Sequence, residues 1–185
     1  MKKVMISLAF LLCLTPGIKA QQSGKFWTGG TLGFTTSKVE DGIRLTNYSI
    51  LPEFGYGFSD RWGAGISLGY LHNEYEIIGA KIKTDGFSVN PFARYSLLRG
   101  RIGNLFLDGG VGYAYRDNKT TDREKHAFEV GIRPGVSVNI TDNIALMGRF
   151  GFLGYQYEKE GGTKTNTFAA DFDLNQVQLG VNILF

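Results

Sequence analysis

The chain has 185 residues, of which 26 are glycine and 14% are aromatic, with one cysteine and a formal net charge of +3. So many aromatic side chains exclude low-complexity disorder, and the length allows one domain but hardly two. A single cysteine excludes an internal disulfide and a metal site built from thiolates. No segment after residue 25 shows a long helical period, so the composition favours an all-β domain.

The first predicted element is a secretory signal peptide. Two lysines precede an apolar run over residues 4–14, and a short polar stretch follows as far as Ala20, which is the order of features in a cleaved leader. The run is too short for a helix that crosses a bilayer, which needs about 20 residues. We expect residues 1–20 to be removed and residues 21–185 to form one barrel domain. An uncleaved anchor is the alternative, because Ile18 is bulkier than the usual residue three positions before the cut.

The net positive charge belongs to this signal peptide. Lys2, Lys3 and Lys19 are lost with it, so the 20 basic residues of the chain fall to 17, which equals the number of acidic residues. The single cysteine, Cys13, is lost as well. A nucleic-acid partner is therefore not expected, because phosphate binding needs a clustered positive surface.

The rest of the chain alternates apolar with small or polar residues at a period of two, as half-buried strands do. Each alternating segment reaches the roughly 9 to 11 residues that a tilted strand needs to cross hydrocarbon. The segments predict eight strands, at residues 26–36, 46–58, 62–71, 83–97, 104–116, 125–140, 144–157 and 168–185.

The two faces of each predicted strand differ. In the second strand, Tyr48, Ile50 and Phe54 lie on one face, whereas Glu53 and Gly55 lie on the other. The interior of an eight-stranded barrel is only just wide enough for side chains. The face with small or polar residues must therefore point inward, and the face with large apolar residues, called the greasy face below, must point outward, where only lipid can cover it. In the seventh strand the residues expected on the greasy face are Ile144, Leu146, Phe150 and Phe152.

The predicted connections alternate in length, as in an up-and-down transmembrane β-barrel. The short ones lie at residues 59–61, 98–103 and 141–143, and the longer polar ones at 37–45, 72–82, 117–124 and 158–167. With both termini on the periplasmic side, the short turns lie there and the long loops face outside. Aromatic girdles are then expected near the periplasmic rim at Tyr56, Phe58, Trp62, Tyr95 and Phe185, and near the outer rim at Tyr48, Tyr70, Phe87, Tyr113, Tyr115 and Phe128.

The inward faces of the predicted strands carry charged residues that are candidates for a functional site. Isolated charges in so narrow a lumen are costly, so they must be paired or hydrated. We expect the carboxylates of Glu53 and Asp108 to pair with two or more arginines, in a polar core that plugs the barrel. The candidate partners are Arg94, Arg133 and Arg149. A gate or selectivity ring is the alternative. The candidate network comprises Glu53, Arg94, Asp108, Glu129, Arg133 and Arg149.

Catalysis is not expected. Some small barrels hydrolyse or acylate lipid with a histidine, a serine and a carboxylate. The two histidines, His72 and His126, lie near the outer ends of strands, and no serine follows His126 two residues on. Two isolated histidines also give no ligand spacing for a metal, so neither a metal nor another cofactor is expected.

The eighth strand contains one inconsistency. Val177, Leu179, Val181, Ile183 and Phe185 share odd parity, whereas the apolar residues from Phe168 to Leu174 are even. A bulge near Asn175 or Gln176 would restore one face. Alternatively, the part before Asn175 stands above the lipid, and its aromatic residues face another strand or the lumen.

The strand-turn-strand block at residues 52–65, the stretch at 87–95 and the end at 179–185 resemble the small outer-membrane β-barrel superfamily, which includes OmpX, OmpW and the barrel domain of OmpA. The resemblance covers essentially all of residues 25–185. It implies a place in the bacterial outer membrane, contact with lipid and lipopolysaccharide, and a monomer. It also implies that the barrel-assembly machinery recognises the terminal strand, at Val177, Leu179, Val181, Ile183 and Phe185.

These motifs specify architecture better than activity. We expect a structural or surface-interaction role, with the outer loops in contact with lipopolysaccharide or a host surface. A narrow channel for small or apolar solutes is the first alternative. A secreted binding barrel and a lipid-modifying enzyme that depends on His126 are the others.

Overall fold

The computed structural model describes residues 24–39, 43–77, 80–120, 123–171 and 178–185. The predicted signal peptide, Val177 and the proposed bulge near Asn175 or Gln176 lie outside these residues. No helix in the described part of the chain is long and apolar enough to cross a membrane.

The described residues form ten β-strands. The first six are single long strands, the predicted seventh strand is divided in two, and the described parts of the predicted eighth strand lie in the last two strands. The strands are β1 (Lys25–Val39), β2 (Ile43–Gly57), β3 (Trp62–Ile77), β4 (Ala80–Arg99), β5 (Gly103–Asn118), β6 (Arg123–Asn139), β7 (Ile144–Arg149), β8 (Phe152–Glu160), β9 (Thr163–Asp171) and β10 (Gln178–Leu184).

Eight of these strands close into an antiparallel barrel. Strands β1 to β7 pair in chain order, and β10 joins β7 to β1. Strands β8 and β9 extend this sheet beyond β7, because β8 pairs with the outer part of β6 and β9 pairs with β8. The predicted fold class, an all-β barrel of eight antiparallel strands, is confirmed.

The outer connections are shorter than predicted, because the strands continue into them. Strand β3 extends to Ile77 and β4 begins at Ala80, so most of the predicted loop at 72–82 is a paired hairpin. Charged cross-strand neighbours stabilise it in water: Lys81 Nζ lies 3.1 Å from Glu74 Oε1. This hydrogen bond lowers the pKa of Glu74 and raises that of Lys81. The other three predicted loops are shortened in the same way.

The large apolar side chains lie on the outside of the barrel. Phe54, Ile66 and Val130 are among many exposed hydrophobic residues, whereas Glu53, Ser67 and other polar residues of the opposite parity are buried. This distribution is the reverse of a soluble barrel, in which apolar side chains fill the interior. The outer surface is therefore suited to lipid.

The seventh strand changes face at a bulge between β7 and β8. Arg149 is opposite Gly135 and Leu153 is opposite Ile132, so three residues of this strand stand against two of β6. One extra residue reverses the faces beyond it. Phe152 is consequently only 8% exposed and points inward, so its predicted place on the greasy face was wrong. Phe150, also assigned to that face, lies at the bulge and is half-buried.

The bulge combines a proline with a left-handed glycine. Pro134 of β6 has no N–H to donate, and prolines within sheets occur at bulges; its carbonyl accepts a 3.1 Å hydrogen bond from the Phe150 N–H. Gly151 has a φ of 74°, a conformation that is unfavourable for residues with a Cβ.

Replacing Gly151 with alanine is expected to reduce the free energy of unfolding by about 1–2 kcal/mol, the cost of a Cβ in this backbone region. Urea titration of the protein in lipid vesicles would measure the change. Gly109→Ala is the control, because a Cβ at Gly109 would meet no heavy atom within 4 Å. Equal stability of the two variants would contradict the assigned strain.

Inward glycines make room for inward aromatic rings. The Trp27 ring occupies the space where Gly55 would carry a Cβ, and Phe106 does the same at Gly135. Phe92 lies against Gly65 and Gly110, and Phe152 against Gly131 and Gly154. The lumen is therefore narrowed by rings that fit only because the facing residues lack side chains.

Candidate functional site

Four charged side chains meet in the lumen, one each from β2, β4, β5 and β7. Glu53 has no exposed surface, and Arg94, Asp108 and Arg149 are 6%, 6% and 7% exposed. Their strand positions have inward parity, which brings residues as far apart in sequence as Glu53 and Arg149 into contact. We call Glu53, Arg94, Asp108 and Arg149 the lumen plug.

Arg94 binds both acids of the plug. It lies directly opposite Asp108 in the β4–β5 register. Its Nε and Nη2 donate to the two carboxylate oxygens at 2.7 and 2.9 Å, a bidentate geometry that is stronger than a single hydrogen bond. Nη2 also donates to Glu53 Oε1 at 3.4 Å.

Arg149 bridges the same two acids from the other side. Its Nε donates to Asp108 Oδ2 at 2.8 Å, and its Nη2 donates to Glu53 Oε2 at 2.5 Å. Glu53 Oε1 also accepts a 3.2 Å hydrogen bond from the Trp27 indole. Each acid therefore contacts both arginines, and the two positive and two negative charges balance.

Aromatic rings enclose the plug. The Arg94 guanidinium carbon lies 4.3 Å from the centre of the Phe106 ring and 5.3 Å from that of Trp27. Phe92 lies 5.3 and 5.4 Å from the Arg94 and Arg149 guanidinium carbons. Such rings attract cations through their faces and exclude water. The rings and the ion pairs lie together in the lumen, nearer to the end of the barrel that holds the chain termini.

The other two residues of the candidate network lie apart from the plug. Arg133 is directly opposite Asp108 in the β5–β6 register, yet its Nη2 donates to Glu129 at 2.7 Å and its guanidinium lies 4.7 Å from the Phe152 ring. Asp108 is already occupied by Arg94 and Arg149. The six predicted residues therefore form a buried group of four and a half-buried pair.

Above the plug, on the side away from the termini, the lumen opens into a cavity of about 250 Å³. We call this space the vestibule. Phe92, Asp108 and Arg149 form its floor, and Arg116 and Glu158 lie toward its outer end.

The predicted aromatic residues lie in two groups on the outer surface. Near the termini, the rings of Trp62 and Tyr95 are 4.7 Å apart, and Tyr56 is equally close to Phe26. At the other end, Tyr48 lies 6.2 Å from Tyr70. Tyr113 and Tyr115 flank Phe87 in the same outer group. Phe58, Phe128 and Phe185 are exposed.

The terminal strand is ordered against β1 and β7. Leu179, Val181 and Ile183 are exposed on its outward face, and the Phe185 N–H donates to the Phe26 carbonyl at 2.9 Å. Recognition by the assembly machinery stays a prediction. Phe168 of β9 is also exposed, so its ring is not enclosed in the lumen.

The two histidines lie on the outside near the outer rim. His72 Nδ1 is 2.6 Å from Asp85 Oδ1, which also accepts a hydrogen bond from the Tyr70 hydroxyl at 2.8 Å. His126 Nδ1 is 2.8 Å from the Tyr113 hydroxyl. Among the described residues no group of three His, Cys, Asp or Glu side chains could hold a metal ion.

Trp27 was not predicted from the sequence as a partner of Glu53. The position of Trp27 in the sequence could have indicated its inward placement, because a bulky ring of inward parity beside Gly29 and Gly30 needs small residues on the facing strand. Gly55 supplies one.

The chain matches the family model of the outer membrane protein beta-barrel domain over residues 5–185. It is similar to Neisserial surface protein A, with 15% sequence identity and a TM-score of 0.54, covering 88% of this chain and 98% of that one. It is also similar to the outer membrane protein OprG from Pseudomonas aeruginosa, with 14% identity and a TM-score of 0.57, covering 91% and 99%. These low identities relate the folds alone. No curated protein sequence matches the chain.

Proposed function

Because the chain belongs to the family of outer membrane protein beta-barrel domains, we propose that it is an integral protein of the bacterial outer membrane whose lumen is closed by its own side chains. Its role is then structural or lies at the cell surface. The projecting hairpins contact lipid, lipopolysaccharide or a host surface, and the barrel acts as a monomer without catalysis.

The observation that carries this proposal is the burial of the lumen plug. Four charged side chains from four strands satisfy one another and are at most 7% exposed. A conducting pore needs a continuous path in which an ion binds favourably enough to enter and weakly enough to leave. Here the charges face each other and aromatic rings, so an ion would have to break several charge-assisted hydrogen bonds to pass.

The refolded protein is expected to give no reproducible openings in a planar lipid bilayer. Single-channel recording tests this, with vesicle-bound protein first shown to be folded by its resistance to SDS at room temperature. Reproducible openings of one size would instead support the narrow channel, which the vestibule favours as the second candidate. A lipid-modifying enzyme would require lipid hydrolysis or acyl transfer that His126→Ala abolishes.

A further inference from the structure

The vestibule has two chemically different walls. One wall is lined by residues that carry hydroxyl groups, one from each of β1 to β4, although the Thr31 hydroxyl oxygen is itself fully buried. These residues are Thr31, Ser49, Ser67 and Ser88. Asn90 adds an amide beside Ser88, to whose hydroxyl it donates at 3.5 Å. The opposite wall, from β5 to β8, carries the charged residues.

The charges of the vestibule balance, and most of them are paired with one another. Its lining contains three acids and three arginines. Arg133 lies 2.7 Å from Glu129, and Arg149 lies 2.8 Å from Asp108. Arg116 lies 3.9 Å from Glu158, which lies closer to Lys125, at 2.8 Å, and the buried Arg116 Nε has no hydrogen-bond partner among the described residues. The lining carries no net charge, and an ionic ligand beside the lumen plug would have to displace the ion pair of Arg133 or Arg149 to gain one of its own.

The vestibule has the volume of a small-molecule site, and a neighbouring cavity of about 340 Å³ shares Arg133, Arg149, Gln156 and Gln178 with it. About 250 Å³ is room for roughly eight water molecules, at about 30 Å³ each. This is the scale of one sugar ring. Apolar surface at Leu51, Leu71 and Phe92 lies among the polar groups, so a ligand with both C–H and O–H surface would fit the lining better than a purely polar ion.

We propose that the vestibule binds a small neutral polyhydroxylated molecule of monosaccharide size from the external side, with its hydroxyls on the β1–β4 wall. The site rests on the proposed closed barrel, because the lumen plug forms its floor. Ser67 and Ser88 supply hydroxyls that both donate and accept, which suits the hydroxyls of a sugar. The ion pairs of the other wall offer carboxylate oxygens as further acceptors.

Titration of the ¹⁵N-labelled protein in lipid nanodiscs with D-glucose tests the proposal. Saturable amide shifts are expected at Ser67, Ser88 and Asn90. Ser88→Ala is expected to weaken binding by about threefold to tenfold, the value of one neutral hydrogen bond. Glycine and inorganic phosphate, which are charged probes of smaller size, are expected to produce no saturable shifts at these positions.

Two phenylalanine substitutions separate the vestibule from the lipid face. Ala114 lines the vestibule, so Ala114→Phe is expected to abolish glucose binding. Ala93 is exposed on the outside, so Ala93→Phe is expected to leave binding unchanged. The inference is overturned if glucose gives no saturable shifts, if Ala114→Phe binds like the parent, or if phosphate or glycine saturates the same amides. Binding is read at equilibrium, so a conducting barrel would overturn the closed lumen without deciding this result.

Discussion

Replacing Glu53 with alanine is expected to lower the free energy of unfolding by about 3–5 kcal/mol, the usual cost of removing one partner from a buried ion pair. Glu53 accepts hydrogen bonds from Arg94, Arg149 and Trp27. Without it, one acid faces two buried arginines, and the lumen holds an uncompensated positive charge. A cavity beside the Trp27 ring adds to the loss.

The matched control is Glu124→Ala at the outer rim. The Glu124 side chain is 64% exposed, lies 3.9 Å from His126 Nε2 and accepts a 2.9 Å hydrogen bond from the exposed Tyr115 hydroxyl, so its removal is expected to cost about 1 kcal/mol. Urea unfolding in lipid vesicles, followed by tryptophan fluorescence, would compare the two variants. A loss at Glu53 as small as that at Glu124 would mean that the plug contributes little to stability.

The alternation of residue types predicted most of the barrel. In β2, Tyr48, Ile50 and Phe54 are exposed while Glu53 is buried, because a strand sends successive side chains to opposite faces and the narrow lumen accepts only the smaller set. The inward parity of Arg94, Asp108 and Arg149 follows from the same rule. Local pattern is sufficient in these strands because the charged residues lie in stretches that keep one outward face and one lumen face.

Counting alternate residues assigns the wrong face beyond a point where one strand has an extra residue relative to its neighbour. Phe152 was assigned to the greasy face by counting from Ile144, and the bulge at Gly151 reversed that count. Pro134 and Gly151 signal a bulge only when they are known to be neighbours, and that depends on the register between β6 and β7. The outer hairpins were also missed, because polar residues that look like loops remain paired when they face water on both sides.

The choice of ion-pair partners could not be predicted either. Register places Arg94 and Arg133 on the two sides of Asp108, and either could bind it. Arg149 reaches Asp108 from β7 across the lumen, which leaves Arg133 to Glu129. Such competition is decided by side-chain geometry in the closed barrel.

Removing all four charges of the lumen plug together is expected to open the lumen. A variant with serine at Glu53, Arg94, Asp108 and Arg149 leaves no unpaired buried charge, so it should fold, and its small hydroxyl side chains can be hydrated. The Phe106 and Phe92 rings would also lose the guanidinium groups that hold them. The matched control replaces two acids and two lysines of the hairpin between β3 and β4 with serine. These residues are Glu74, Glu76, Lys81 and Lys83.

Single-channel recording of the parent, the plug variant and the hairpin control in the same planar bilayer tests the closed lumen most directly. The predicted result is reproducible openings from the plug variant alone, with the parent and the hairpin control silent. Openings of equal conductance from the parent, or a folded plug variant that stays silent, would contradict the assignment of the Glu53, Arg94, Asp108 and Arg149 cluster as the barrier.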